Sequence, residues 1–422
     1  MHTWKPCKLD ELGFVGRGKS RHRPRNAEFL YGGQYPFFQT GDIKAANFHL
    51  TEYSQTYSEE GLAQSKLWKP GTLCITIAAN IAESAILGIE GCFPDSVVGF
   101  VADPDKADVR FIKYYMEILK LQMQSVSRGT TQDNLSLDKL LTFDFLVPPL
   151  LVQRRIAGIL SAYDELMENS QRRIRILEAM ARAFYREWFV HFRFPGSRAE
   201  ASAKADGHEK LPRVASPLGD IPQGWEVKSI QQFGTVITGK TPSKANADFY
   251  GNDVPFVKTP DMHGNMFILG TSDCLSMAGA ESQVNKTLAA GSICVSCIGT
   301  IGVVSITTED CQTNQQINSV VLANPASREF LFLRLQDSKQ TLENLGANGA
   351  TMGNVNKGKF EAMEIICPPD DLLARYHRLA EPMFSEILSL FRQIQNLRRT
   401  RDLLLPRLLS GQVEIKSKEA LA

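Results

Sequence analysis

The sequence predicts an α+β fold: two similar globular α+β domains joined by two long helices packed as an antiparallel coiled coil, an internal pseudo-two-fold repeat. Three observations predict it. The chain repeats itself at an offset near 220 residues. Each repeat opens on short β-rich runs broken by Gly and Pro turns. Each closes on an apolar seam stepping by three and four residues, the pattern of a helix that packs along another helix.

The repeat is visible by eye. WKPCKLDELGFVGRGKS, from Trp4, aligns with WEVKSIQQFGTVITGKT, from Trp225. YGGQYPFFQTGDI, from Tyr31, aligns with YGNDVPFVKTPDM, from Tyr250. KPGTLCITIAANIA, from Lys69, aligns with AAGSICVSCIGTIG, from Ala289, and GTTQDNLSLDKL, from Gly129, with GATMGNVNKGKF, from Gly349. So long a period belongs to duplicated domains rather than to a solenoid.

The elements follow in order. Residues 1–150 form the first globular domain. PGTLCITIA is a buried strand, and DVRFIKYYMEILKLQMQSVS is a helix with Phe111, Tyr115, Ile118 and Leu119 on one face. Residues 151–194 form the first long helix. Its seam runs through Ile156, Leu160, Tyr163, Met167, Ser170, Ile174, Leu177, Ala181, Phe184 and Trp188. About 33 helical residues at 1.5 Å each give a rod of roughly 50 Å. Residues 195–218 are small, charged and Pro-containing, hence a linker. Residues 219–370 repeat the globular domain, with the helix twin starting near Arg328. Residues 371–415 form the second long helix, with Met383, Ile387, Leu390, Ile394, Leu397, Leu404 and Leu408 on its seam and Arg401 interrupting it. Pro382 should start or kink this helix, and Pro406 should end or bend it. Residues 416–422 are a tail. Two matching seams cover each other most economically. Phe184, Trp188 and Phe189 form an aromatic group suited either to a partner protein or to the base of the second domain.

Composition narrows the classes of function. A net charge of +1 neither selects nor excludes a nucleic-acid partner, because binding depends on local patches. Eight cysteines scattered through a long chain read as reduced thiols. Cys294 and Cys297 form a C-x-x-C with no second pair to complete a zinc site, and Cys297 aligns with Ile77, so both belong to a core strand and no metal is expected. The N-terminus lacks the apolar core of a signal peptide, and no run of about 18 apolar residues exists. The expectation is a cytoplasmic protein with no membrane contact.

GFVGRGKS, Gly13 to Ser20, and GTVITGKT, Gly234 to Thr241, both fit the G-x-x-x-x-G-K-[ST] pattern of nucleotide-binding loops. Such a loop needs a buried strand before it and a helix directly after it. Here the preceding stretches are polar, and Pro24 and Pro242 follow soon after. The better reading is a glycine turn entering a basic loop. RGKSRHRPR carries five Arg and Lys side chains in nine residues, which suits phosphate contacts. No hydrolase, metalloprotease or methyltransferase motif stands out, so no catalytic residue is assigned.

The chain resembles the specificity (S) subunit of type I restriction–modification enzymes. The residues that carry the resemblance are PPLLVQRRIAGILSAYDELMENSQRRIRILEAMARAFYREWFVHF, from Pro148, and GDIPQGWEVKSIQQFGTVITGKTPS, from Gly219. The first domain departs most, with RGKSRHRPRN in place of GKTPSKAN. The resemblance implies a DNA-recognition subunit without enzymatic activity or cofactor of its own. Each globular domain would be a target recognition domain reading one half of a split double-stranded DNA target. The helices would set the gap and dock two methyltransferase subunits, with motor–nuclease subunits joining them. Lys19, Arg21, Arg23 and Arg25 would contact phosphates in the first domain, and Lys240, Lys244 and Lys258 in the second. Gln39, Asp42, Thr131, Gln132 and Asn134 could read base edges, with twins Asp261, Thr351 and Asn354. Two other readings stand against this one: a nucleotide hydrolase built on the glycine–lysine pattern, and a coiled-coil scaffold that binds only protein.

Overall fold

The structure is a computed structural model describing residues 4–46, 48–128, 135–194, 212–347 and 353–413. Thr131, Gln132, Asn134 and Thr351, most of the expected linker and the expected tail lie outside the described residues. Contacts group the chain into two compact units, Met1–Ser170 with Gln393–Ala422, and Gln171–Arg392. Each unit therefore holds one globular domain and a segment of each long helix.

In the first unit, five strands build the main sheet: β1 (Gly13–Arg17), β2 (His49–Leu50), β3 (Leu73–Thr76), β4 (Ser84–Leu87) and β5 (Val97–Ala102). Their order is β1-β5-β3-β4-β2. Every residue of β3 is buried because both faces of the sheet are covered. Leu73 and Ile75 enter one core with Phe100, Phe111 and Tyr115, while Cys74 enters another with Trp68, Ala85 and Leu87. The helix α1 (Val109–Arg128) covers the first of these faces. Phe111, Tyr115 and Leu119 are buried there, but Ile118 is not. Ile112, Met116 and Met123 fill the face instead, which lies one residue round from the expected one.

The second unit repeats the plan. Strands β6 (Gly234–Thr238), β7 (Phe267–Ile268), β8 (Ile293–Ser296), β9 (Val304–Thr307) and β10 (Ile317–Leu322) take the order β6-β10-β8-β9-β7. Lys5–Cys7 pairs with Phe145–Val147, and likewise Glu226–Ser229 with Glu364–Cys367, so each domain is closed by its own ends. The twin of α1 is shorter. α3 (Arg328–Asp337) stops at Ser338, and a separate helix, Lys339–Gly346, follows. Arg213–Val214 pairs with Ile221–Pro222, so regular structure begins before residue 219.

The long helices are α2 (Leu150–Tyr185, 36 residues) and α4 (Asp370–Leu409, 40 residues), each directly after a Pro-Pro pair. α2 closes in a π-helical turn, Arg186–Val190. In the first unit Ile156, Ala157 and Leu160 share a core with Leu408 and Leu409, and Asp164 meets Arg401. In the second unit Arg173 meets Glu386, and the Tyr376 hydroxyl donates to the Ala181 carbonyl at 3.1 Å. Within each unit residue numbers rise on one helix as they fall on the other, so the segments run antiparallel. Ile156, Leu160, Met167, Ser170, Ile174, Ala181, Trp188, Ile387, Leu390, Ile394 and Leu408 are buried. Tyr163, Leu177, Phe184, Met383, Leu397 and Leu404 are half-buried.

The structure bears on three expectations about the helices. The apolar stripe of α4 starts earlier than Met383, at Leu373, Tyr376 and Ala380. Pro382 lies well inside α4, and the helix continues past Pro406 to Leu409. Both prolines are exposed, so the backbone carbonyl each leaves unpaired lies on the water side. Of the two readings of the aromatic group, packing against the second domain holds for Trp188 and Phe189, which are buried. Phe189 packs against Trp225, Phe330 and Tyr376 at ring distances of 6.0, 4.8 and 4.8 Å, at the base of the second globular domain.

Candidate nucleic-acid interface

The glycine–lysine pattern is a strand followed by an anchored loop. Gly13 to Arg17 pair with Ala102 to Val98 in the sheet. A Cβ on Gly13 would collide with the Val101 carbonyl oxygen, and one on Gly18 with the carbonyls of Phe93 and Pro94. In the second domain Gly234 abuts the Val321 carbonyl, and Gly239 those of Thr313 and Asn314. The two glycines thus mark two close backbone approaches, one strand-length apart. The expected glycine turn is therefore a strand. The backbone donors are occupied as well. The Gly18 N–H donates to Val97 O at 2.9 Å and the Lys19 N–H to Phe93 O at 3.1 Å. Gly239 and Lys240 repeat this toward Ile317 O at 3.1 Å and Thr313 O at 2.9 Å. A phosphate-cradling loop needs those N–H groups free, so the nucleotide-hydrolase reading fails on geometry.

Beyond Gly18 the chain becomes the basic loop. Its backbone is pinned from outside: Gln64 Oε1 accepts from the Arg21 and His22 N–H groups at 2.5 and 3.0 Å, and the Ser65 hydroxyl donates to Lys19 O at 2.8 Å. The four candidate cations then divide. Lys19 and Arg21 are exposed, and their side chains have no partner among the described residues. The Arg23 guanidinium turns back onto the carbonyls of Ser20 and His22 at 2.7 and 2.8 Å. Arg25 holds both oxygens of Asp95 at 2.9 Å. Nearby, the Lys66 ammonium lies 3.6 Å from the Trp68 ring centre and 4.6 Å from that of Phe14. Burial, and then the charge of Lys19, lower its pKa.

An open cleft of about 660 Å³ joins this loop to the antiparallel pair of strands Tyr31–Phe37 and Gln55–Tyr57, with Ser20, Arg25, Asn26, Tyr31, Gln39 and Gln55 on its walls. The structure thus brings the basic loop and Gln39 together. Gln39 donates through Nε2 to Gln55 Oε1 at 2.6 Å. Asp42 has a structural employment: its Oδ2 accepts from the Gln39 N–H at 2.7 Å and the Ser54 hydroxyl at 3.2 Å, capping a short helix.

In the second domain Lys240 and Lys244 are exposed, without a side-chain partner among the described residues. Lys258 forms an ion pair with Asp273. Asp261 caps a short helix, accepting from the N–H groups of Lys258 and Ser272 at 2.8 and 3.0 Å. Asn354 is exposed, its own N–H donating to Gly346 O at 3.1 Å. Sequence reasoning missed Gln55, Gln64 and Asp273. Each acts by facing a candidate across the fold, and such pairings are invisible without strand register.

The buried titratable groups tie domains to helices. Asp164, almost fully buried, accepts from the Tyr114 hydroxyl and from Arg401, which explains the arginine that interrupts the seam. Burial and the adjoining Asp164 charge push the Tyr114 hydroxyl far up. In the second unit the buried Glu329 accepts from Arg328 Nη2 at 2.7 Å and pairs with His377 Nδ1 at 2.6 Å. Burial pushes the Cys294 thiol up to about 12 and that of Cys297 up to about 11, as suits side chains packed in a core rather than ligands or nucleophiles.

The sequence profile of the type I restriction modification DNA specificity domain matches residues 1–179 and again 222–372. The type I restriction enzyme HindI specificity subunit of Haemophilus influenzae is 30% identical, over 98% of this chain and 100% of its own. The MjaIX specificity subunit of Methanocaldococcus jannaschii is 23% identical, over 98% of this chain and 94% of its own. A crystal structure of the S subunit of a type I restriction-modification system from M. genitalium shares the fold, with a TM-score of 0.63 at 13% identity, covering 96% of each chain.

Proposed function

The chain belongs to the type I restriction–modification DNA specificity family, and from that premise we propose that it is the non-catalytic subunit selecting the DNA target of a multisubunit restriction–modification complex. Each globular domain reads one half of a split double-stranded target. The observation that carries this reading is the duplication itself. Two domains with one sheet order each present an anchored, cation-bearing loop after the first strand. Of the candidate cations, Lys19 and Arg21 in the first domain, with Lys240 and Lys244 in the second, have no side-chain partner among the described residues and would meet phosphates. Arg23 and Arg25 shape the loop. Residues 1–150 and 219–370 are the recognition domains, and 151–194 and 371–415 the helices that set the gap.

The helices also dock the methyltransferase subunits. On α2, outside the seam, Ile159 and Leu166 in the first unit and Ile176 and Met180 in the second are exposed. Water-facing apolar side chains at heptad-compatible spacing suit partner helices. Methyl transfer, ATP hydrolysis and cleavage belong to the methyltransferase and motor–nuclease partners. No described helix is long and apolar enough to cross a membrane, and the proposed setting is the cytoplasm, where the DNA lies. The test maps methylated bases in DNA from the source cell with and without this gene. A two-part motif that disappears with the gene supports the reading. An unchanged methylation pattern, or ATP hydrolysis by the purified chain alone, overturns it.

A further inference from the structure

One pair of positions in one small sheet of each domain is filled with different chemistry. In the first domain Tyr31–Phe37 pairs with Gln55–Tyr57, with Phe37 opposite Gln55. In the second, Tyr250–Val257 pairs with Asp273–Leu275, with Phe256 opposite Asp273. The repeat equates Phe37 with Phe256, so Gln55 and Asp273 hold equivalent places, as do Gln39 and Lys258. Each pair is closed by direct side-chain contact. Gln39 donates to Gln55 at 2.6 Å, where Lys258 and Asp273 form an ion pair. Both pairs are open to solvent, and the glutamines line the cleft beside the basic loop.

We propose that this cross-strand pair is a base-pair-discriminating position in each domain, an inference that rests on the DNA-specificity reading. The hydrogen bond within the glutamine pair uses one donor and one acceptor. Gln39 Oε1 and Gln55 Nε2 stay wholly unengaged, an acceptor on one side chain beside the donors of the other. That combination complements the major-groove edge of adenine, whose N6 donates and N7 accepts, better than that of guanine, whose two acceptors would leave Gln39 Oε1 without a donor. The Lys258 ammonium retains donors for guanine O6 and N7, and the Asp273 carboxylate an acceptor for cytosine N4. The amide pair thus suits an A·T pair in one half-target, and the ion pair suits a G·C pair in the other.

The experiment exchanges the pairs in the full chain, assembled with its methyltransferase, and reads the methylated motif. Gln39→Lys with Gln55→Asp should change one position of the first half-target from A·T to G·C, with preference inverted on the order of ten- to hundredfold. The second half-target should be unaltered and serves as the internal control of folding and assembly. The reciprocal Lys258→Gln with Asp273→Gln should move one position of the second half-target from G·C to A·T. A two-part motif that both exchanges leave unchanged overturns the pair assignment alone. A wild-type complex that yields no two-part motif overturns the DNA-specificity reading beneath it.

Discussion

Lys19 and Arg21 show what a fixed backbone does for a mobile charge. Their peptide groups are held by Gln64, Ser65 and Phe93, so the loop is already ordered and only the side chains need to adapt to a phosphate. Replacing both by Ala should weaken binding evenly across DNA sequences and reduce the salt slope by about two, near 0.9 per phosphate contact, in affinity titrations from low to physiological salt. An unchanged slope would remove the loop from the interface. The cysteines carry a second residue-scale expectation. Cys7 and Cys274 are partly exposed, whereas Cys74, Cys92, Cys294, Cys297, Cys311 and Cys367 are buried. A thiol reagent should therefore label only the first two in the native protein, and all eight after denaturation, as counted by mass. His49 supplies a pH dependence. Its hydrogen bond to Glu168 raises its pKa above 6.5, although burial opposes this. Burial pushes Glu168 upward, but the hydrogen bonds from His49 hold it below 4.5 overall. The histidine contribution is full below pH 6.5 and fades as pH rises through its raised value. The Glu168 contribution is present above pH 4.5 and fades as pH falls through its lowered value. Both groups are about a third exposed, so the effect should stay under about 1 kcal/mol. Denaturant midpoints should decline slightly from pH 6 to 8, and His49→Ala should flatten that decline.

At the scale of elements, buried charge fixes how each domain grips the helices. Tyr114 on α1 and Arg401 on α4 converge on Asp164 of α2. Asp164→Ala strands the Arg401 guanidinium without that partner, and urea unfolding should show a loss of about 3 kcal/mol. Replacing all three by apolar residues of similar volume should cost much less, because no charge is then left unpaired. The seam is the second element-scale device. Ile174 is buried and Leu177 half-buried in the second unit, on the stretch of α2 that also meets α4 through Arg173 and Ala181. Aspartate at both places puts carboxylates into an apolar contact, which should cost several kcal/mol and abolish co-purification with the methyltransferase. A variant that stays folded and assembled would refute the seam.

For the whole molecule, duplication made the fold legible. An apolar residue in one copy explains its twin in the other, and so Ile77 explained Cys297 and the two glycine–lysine matches explained each other. Heptad spacing gave both long helices, because a buried stripe on a helix must recur every three or four residues. Yet the same local rules left open whether Pro382 starts α4 or kinks it and whether Pro406 ends or bends it, and the helix runs through both, since whether a proline breaks a helix depends on which side of it faces water. Ile118 fell outside the core because neighbouring elements, not its own helix, choose the buried face. Among the candidate contacts, charge type was readable from sequence, but employment was not. Arg23, Arg25, Asp42, Lys258 and Asp261 all have intramolecular partners supplied by the fold. The sequence by itself determined the family, the repeat, the helical seams and the presence of a basic loop. Those depend on patterns local to the chain or copied along it. Only the tertiary structure decided which cations are free and that Gln39 meets Gln55 where Lys258 meets Asp273. A side chain's partner is set by strand register and by the burial of distant neighbours, which no local pattern encodes.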